Sequence, residues 1–208
     1  MKHYVALFLV GIALSGCARL LATIAPEPTT TPSELRAGDY RLDPEHVSIL
    51  FKIDHLGFST YVGRFEAASG QLDFKPEDPA ASAVSVTVDA TSLSVPSAEL
   101  EEKLKGPALF DLADFPVIRF ESTGAKVTGE ARGTVEGLLT IKTVERPITL
   151  DVTFNGGARN PITLVPTLGF SATAQLDRDA FGLTEWLPLV GNQVTLEIEA
   201  EFIRTPSS

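Results

Sequence analysis

Val47-Ser48-Ile49-Leu50-Phe51-Lys52-Ile53-Asp54-His55 is the stretch that decides the fold. Positions 47, 49, 51, 53 and 55 fall on one face at period two, while Ser48, Lys52 and Asp54 fall on the other, which is the signature of a half-buried strand. Similar runs recur near residues 62–74, 83–91, 116–123, 132–142, 147–155, 169–177 and 193–203, giving eight strands in all. The breaks between them carry turn chemistry: Lys75-Pro76-Glu77-Asp78-Pro79, Val144-Glu145-Arg146-Pro147 and Asn155-Gly156-Gly157. Antiparallel neighbours are therefore expected. In the last run Glu197, Glu199 and Glu201 alternate with Leu196, Ile198 and Ala200, predicting one solvated acidic face and one apolar face.

One stretch breaks the period. Ser97 to Leu109 opens on a capping residue, spaces Leu100 and Leu104 by four, and offers Glu99 to Lys103 and Glu101 to Lys105 as helical charge pairs before Gly106-Pro107 ends it. A short amphipathic helix in an all-β domain places its leucines against the sheet or across an open barrel end. Eight antiparallel strands close into a barrel or split into a sandwich, and an eight-stranded barrel is filled by side chains or holds one small ligand. Ile49, Phe51, Ile53, Ile118, Phe120, Leu139, Ile141, Leu150, Val152, Phe170, Leu196 and Ile198 are thus either packed core or the wall of a lipid cavity. Small residues on inferred inward faces, Gly137, Ala172 and Ala174, point toward a hollow interior.

The chain of 208 residues is 44% hydrophobic and 21% charged, within the range of one globular domain. Its net charge of -10 repels phosphate backbones and anionic surfaces, so nucleic acid is not an expected partner. One cysteine excludes a disulfide framework or a cysteine-rich zinc site within the chain. That cysteine closes an N-terminal signal: Lys2 is the positive region, Tyr4 to Leu14 the short apolar one, and Leu14-Ser15-Gly16-Cys17 resembles a bacterial lipobox. Residues 1–16 are expected to be a signal peptide. Cys17 is the expected lipidation site, and residues 17–38, rich in Pro and Thr, form an extended tether to a domain spanning 39–204. The implied location is the bacterial cell envelope, lipid-anchored, with Ala18 after the cysteine pointing to an outer membrane and the domain facing the periplasm.

The landmarks of the domain resemble the YceI-like domain family. Tyr40-Arg-Leu-Asp43-Pro44-Glu-His46-Val-Ser48-Ile-Leu-Phe51-Lys-Ile-Asp-His55-Leu56-Gly57 leads to Gly63-Arg-Phe65, Phe110-Asp111, Phe115-Pro116-Val117-Ile118-Arg119-Phe120, Val135-Glu-Gly137 and Arg146-Pro147. Gly169-Phe170-Ser, Asp177-Arg178-Asp179-Ala-Phe181-Gly182-Leu183 and Val190-Gly191-Asn-Gln-Val194 complete the series in order. The resemblance implies an all-β, lipocalin-like eight-stranded antiparallel barrel with a short helix at one end, enclosing a long isoprenoid or similar amphiphile. It implies no cofactor beyond that lipid and no established catalytic residue. Phe65, Phe74, Val86, Leu104, Phe110, Phe181, Trp186 and His55 then join the apolar positions above as the expected ligand-binding wall. Two departures from the family pattern, Glu101-Glu102-Lys103-Leu104 in the helix and Thr143-Val144-Glu145 at a turn, fall near barrel ends, where a headgroup would sit.

His46 and His55 are nine apart, an odd separation that sets them on opposite faces and argues against a shared metal. His55 shares the face of Ile49, Phe51 and Ile53, whereas His46 is expected to serve the turn after Asp43-Pro44. Asp177-Arg178-Asp179 reads as a salt-bridged turn before the last hairpin. Trp186 either closes a mouth over ligand or caps the core. The alternatives to a lipid binder are an enzyme acting on that lipid through His55 or the 177–179 cluster, and a filled structural barrel that presents its loops to a protein partner.

Overall fold

The structure, a computed structural model, describes residues 27–206. Ten strands occur in chain order: β1 (Gly38–His55), β2 (Ser59–Phe65), β3 (Ala68–Phe74), β4 (Ala83–Asp89), β5 (Leu93–Ser94), β6 (Val117–Gly129), β7 (Arg132–Ile141), β8 (Val144–Arg159), β9 (Pro166–Asp177) and β10 (Val190–Arg204). They make eight staves. β1 pairs with β2 over Ile49 to His55 and with β3 over Gly38 to Arg41, so β2 and β3 form one kinked stave beside it. β4 and β5 form another, since β4 pairs with β3 and β5 with β2. Every pairing is antiparallel between successive staves, and β10 returns to β1 to close the barrel.

The kinks are paired, and that explains why a single run at 62–74 is broken. Ser92 Oγ accepts from the amides of both Glu66 and Ala67 at 3.0 Å, and the Asp89 amide donates to Ala67 O at 2.9 Å. Backbone groups that leave the ladder are satisfied at the same level of the wall. The break shifts the inward parity from odd, at Tyr61, Gly63 and Phe65, to even, at Ala68, Leu72 and Phe74. Both halves keep their apolar side chains inside. β1 makes the same correction by a bulge between Leu42 and Val47 opposite β10.

Two expected turns lie inside β8. The β7–β8 hairpin instead turns at Lys142-Thr143, where Lys142 has a φ of 57° and its Nζ donates to Leu109 O at 3.0 Å. Gly156-Gly157 marks a close approach, not a turn. A Cβ on Gly156 would lie 2.9 Å from Pro28 Cβ, and one on Gly157 would lie 2.6 Å from Leu168 Cδ2 and 2.9 Å from Leu35. The segment expected as free tether is docked there from Thr29 onward: Thr29 and Gly157 exchange backbone hydrogen bonds at 3.0 and 2.9 Å, and Leu35 packs on the core. Cys17 and the signal region lie outside the described residues.

Helix α1 (Ala98–Lys105) follows the expected register. Ser97 Oγ accepts from the Leu100 amide at 3.3 Å, Glu99 and Glu101 pair with Lys103 and Lys105 at 2.7 and 2.6 Å, and Gly106 ends it. α1 lies at one end of the barrel with the loops at 56–58, 142–143 and 178–189. The N-terminal segment and the loop at 160–165 lie at the other.

Candidate functional site

A cavity of about 810 Å³ runs through the barrel. The period-two faces reach it from every stave: Ile49, Phe51, Ile53 and His55 from β1; Phe65 and Phe74 from β2 and β3; Val86 from β4; Ile118 and Phe120 from β6; Leu139 and Ile141 from β7; Leu150 and Val152 from β8; Phe170 from β9; Leu196 and Ile198 from β10. Leu104 of α1, Phe110 of the loop after it and Trp186 of the β9–β10 loop line the cavity at the α1 end. Phe181 does not. It ends the 3₁₀ turn Arg178–Phe181, which Gly182 closes with a left-handed φ of 77°, and is buried in the core off the cavity wall.

Two aromatic groups divide the interior. Phe51, Phe65 and Phe110 meet tilted and edge-to-face at centroid distances of 5.8 and 6.0 Å in the α1 half, while Tyr40, Phe74, Phe154, Phe170 and Phe202 form a chain of contacts between 5.1 and 6.4 Å in the other half. The glycines on inward faces do not open the space they leave. A Cβ on Gly137 would lie 2.4 Å from the Phe120 ring, and one on Gly63 would lie 2.2 Å from Phe51 Cζ. Each vacated volume is taken by a neighbouring ring, so the hollow comes from barrel closure and Gly137 adds nothing to it. Ala172, by contrast, lines the cavity directly.

Charged groups reach this wall toward its two ends, Glu99 and Lys103 on α1 and Lys126, Glu130 and Arg132 around the β6–β7 turn. Tyr61 Oη is buried and has no hydrogen-bond partner among the described residues, with its ring 6.2 Å from that of the exposed His55. Tyr61 escaped the sequence reading because the strand start was placed at Val62; the alternation Tyr61-Gly63-Phe65 carries the signal. Phe154 and Phe202 also line the cavity and extend the Leu150-Val152 and Leu196-Ile198-Ala200 faces at the same period.

Arg178 is almost fully buried, and its guanidinium donates to three backbone carbonyls: Gly191 at 2.8 Å, Val190 at 3.2 Å, and Leu183. Burial pulls its pKa down and the neighbouring Asp179 carboxylate pulls it up. The expected salt bridge is thus replaced by carbonyl bonds that tie the β9–β10 loop to the head of β10. Asp177 and Asp179 are exposed and lie outside the cavity wall.

On the outer surface, His46 Nδ1 lies 2.9 Å from Asp43 Oδ2, and Glu201 brings a third ligand-type atom within 4.8 Å. The Asp43 hydrogen bond, then the Glu201 charge, raise the His46 pKa. Burial pushes the Asp43 carboxyl up, but hydrogen bonds from His46 and the Glu45 amide outweigh it and hold it below the ordinary carboxylate value. Asp43 Oδ1 accepts from the Glu45 amide at 3.2 Å, so the pair braces the β1 bulge. The acidic face of β10 is partly paired as well: Glu197 meets Lys52 at 2.6 Å and Glu199 accepts from Ser171 at 2.6 Å.

The model of the YceI-like domain matches residues 40–202, all of the barrel but the outer ends of β1 and β10. The chain belongs to the YceI-like domain family. A UPF0312 protein of Pseudomonas savastanoi pv. phaseolicola is 36% identical over 149 residues, covering 71% of this chain and 77% of that protein. Among solved structures this YceI-like domain is similar to Burkholderia cenocepacia BcnA, at a TM-score of 0.70 and 22% identity over 77% of this chain and 98% of BcnA. It also shares its fold with a polyisoprenoid binding domain from Saccharophagus degradans implicated in plant cell wall breakdown, at a TM-score of 0.63 and 12% identity over 82% of this chain and all of that one.

Proposed function

We propose that this YceI-like barrel binds a long isoprenoid-type lipid, a quinone or polyprenyl compound, and sequesters or carries it in the bacterial cell envelope while attached to the outer membrane through a lipidated Cys17. The observation that carries the reading is the cavity itself: about 810 Å³ of space inside a closed barrel, walled by aromatic and aliphatic side chains. That volume lies within the 300–1,000 Å³ range of small-molecule sites. Each methylene moved from water to such a wall contributes roughly 0.8 kcal/mol, so a long tail binds tightly without charged recognition. The polyisoprenoid binding domain with the same fold supports a ligand of this class. Tyr61 offers the unpaired hydroxyl that a polar headgroup would meet, with His55 beside it at the mouth. The enzyme reading finds less support, since Asp177 and Asp179 lie off the cavity and His55 has no acidic partner within hydrogen-bonding distance among the described residues.

Mass spectrometry of an organic extract of the purified protein tests the reading. A stoichiometric lipid is expected, and an extract without one refutes it. Tyr61→Phe is expected to weaken a lipid with a polar headgroup by about two- to twelve-fold, the worth of one hydrogen bond, and to leave a headless hydrocarbon of equal length unchanged. A variant that binds the headgroup lipid as tightly as the wild type would remove Tyr61 from the site.

A further inference from the structure

Four large apolar side chains stand in water at the α1 end: Phe58 is 88% exposed, Leu189 66%, Leu56 45% and Trp186 39%. They come from two loops that the Leu56 amide joins by donating to Leu189 O at 3.3 Å. Leu56 and Trp186 hold φ values of 59° and 63°, a left-handed backbone uncommon for bulky residues, and each carries its side chain outward. Leu56, Trp186 and Leu189 also line the cavity, so the patch is the rim where the interior meets solvent. Large contiguous apolar patches on soluble proteins mark contact surfaces.

We propose that this rim docks the open end of the barrel onto a lipid bilayer with neutral headgroups, so that the bound lipid passes between bilayer and cavity without crossing water. The proposal rests on the lipid-binding reading above. Charge selects the occupant. Residues 56–60 and 186–189 contain no ionisable side chain, Lys103 of α1 on the adjoining cavity wall is paired with Glu99 at 2.7 Å, and the chain as a whole carries -10, which repels anionic lipid surfaces. Continuity with the cavity favours a bilayer over a protein, because only a bilayer both covers the rim and supplies a tail the interior accepts. The described chain joins the barrel at the opposite end, where Thr29 bonds Gly157.

Trp186 is the sole tryptophan and sits on the rim, which makes it the reporter. The full chain is mixed with phosphatidylcholine vesicles brominated in the acyl chains, and Trp186 fluorescence is read for the wild type, Phe58→Ser and Ile162→Ser. Phe58 does not line the cavity, and Ile162 is 89% exposed at the opposite end, so neither change disturbs the interior. Wild type and Ile162→Ser are expected to be quenched at least two-fold, and Phe58→Ser to lose most of that quenching with an unchanged circular dichroism spectrum. An unquenched wild type overturns the proposal. So does Phe58→Ser quenched like the wild type, which places the brominated chain inside the cavity with no docking, and so does a dimer in solution that Phe58→Ser dissociates, which makes a second copy the occupant. Lipid in the extract without quenching overturns docking and leaves lipid binding standing; quenching that Phe58→Ser abolishes, with no lipid in any extract, overturns lipid binding and leaves docking standing.

Discussion

Gly63→Ala reports on how tightly the wall is built around its cavity. The added Cβ would lie 2.2 Å from Phe51 Cζ, 2.7 Å from Phe51 Cε1 and 2.7 Å from Val95 Cγ1, all well inside contact distance. Phe51 lines the cavity, so its ring has room to move in that direction and little in any other. Overpacking of this kind costs about 1 to 3 kcal/mol. The displaced ring also takes space from the ligand, and each methylene it excludes weakens binding by about four-fold, from roughly 0.8 kcal/mol apiece. Urea unfolding of delipidated protein measures the first effect and titration with an isoprenoid lipid the second. The cause is isolated by a double-mutant cycle: in Phe51→Ala the same glycine change meets no ring, and its cost should fall by at least about 1 kcal/mol. Additivity of the two changes to within about 0.5 kcal/mol would refute the argument that glycine and ring share one volume.

The His46–Asp43 pair predicts a shallow pH optimum. His46 is raised by its bond to Asp43, so its contribution is complete below about pH 6.5 and is lost as pH rises through the raised value; Asp43 is depressed, so its contribution is complete above about pH 4 and is lost as pH falls through the depressed value. His46→Ala should remove that bulge in a stability–pH curve, an effect of no more than about 1 kcal/mol because the pair is exposed, and a curve of unchanged shape would refute it. Cys17→Ala should abolish incorporation of a fatty-acid label and release the protein from the membrane fraction, and equal labelling of the variant would sink the anchor.

What could be read ahead of the structure was whatever a strict period carries. The face of Val47 to His55 and its repeats place the cavity wall, and Ser97 with the i,i+4 charge pairs places α1, because local geometry alone decides both. The features that escaped depend on partners distant in sequence. The kink at Glu66-Ala67 exists because Ser92 on the next stave receives its amides. Gly156-Gly157 looks like a turn by composition, yet it lies within β8, bulged at Gly156 with a φ of 114°, where Pro28 and Leu35 come down upon it. Gly137 suggests empty space when taken singly and proves filled once Phe120, four residues before the β6 bulge ends, is laid over it. Arg178 between two aspartates suggests ion pairs, but the positions of three carbonyls around it are set by the β9–β10 loop, which no local pattern encodes.

The size of the cavity bears on stability as well as on binding. An apolar space of about 810 Å³ open at its mouth leaves its wall without the packing contacts a filled core would supply, so an occupant that makes those contacts should stabilise the barrel. Water admitted at the mouth is a poor occupant, since an ordered water needs two to four polar partners and the middle of the cavity is walled mostly by aliphatic and aromatic side chains. A tail that meets the wall with apolar contacts is the better one, and on the proposed lipid-binding reading ligand linkage would couple the lipid to stability. At a hundred-fold excess over its dissociation constant a ligand adds about 2.7 kcal/mol, which for a domain of this length corresponds to about 5–11 °C in Tm. Detergent exchange that strips the lipid, verified by mass spectrometry, should therefore lower Tm by that amount, and adding back an isoprenoid lipid should restore it where a short-chain alcohol does not. A Tm unchanged in verified lipid-free protein would mean that the interior closes on itself, and that its volume is no measure of what the barrel carries.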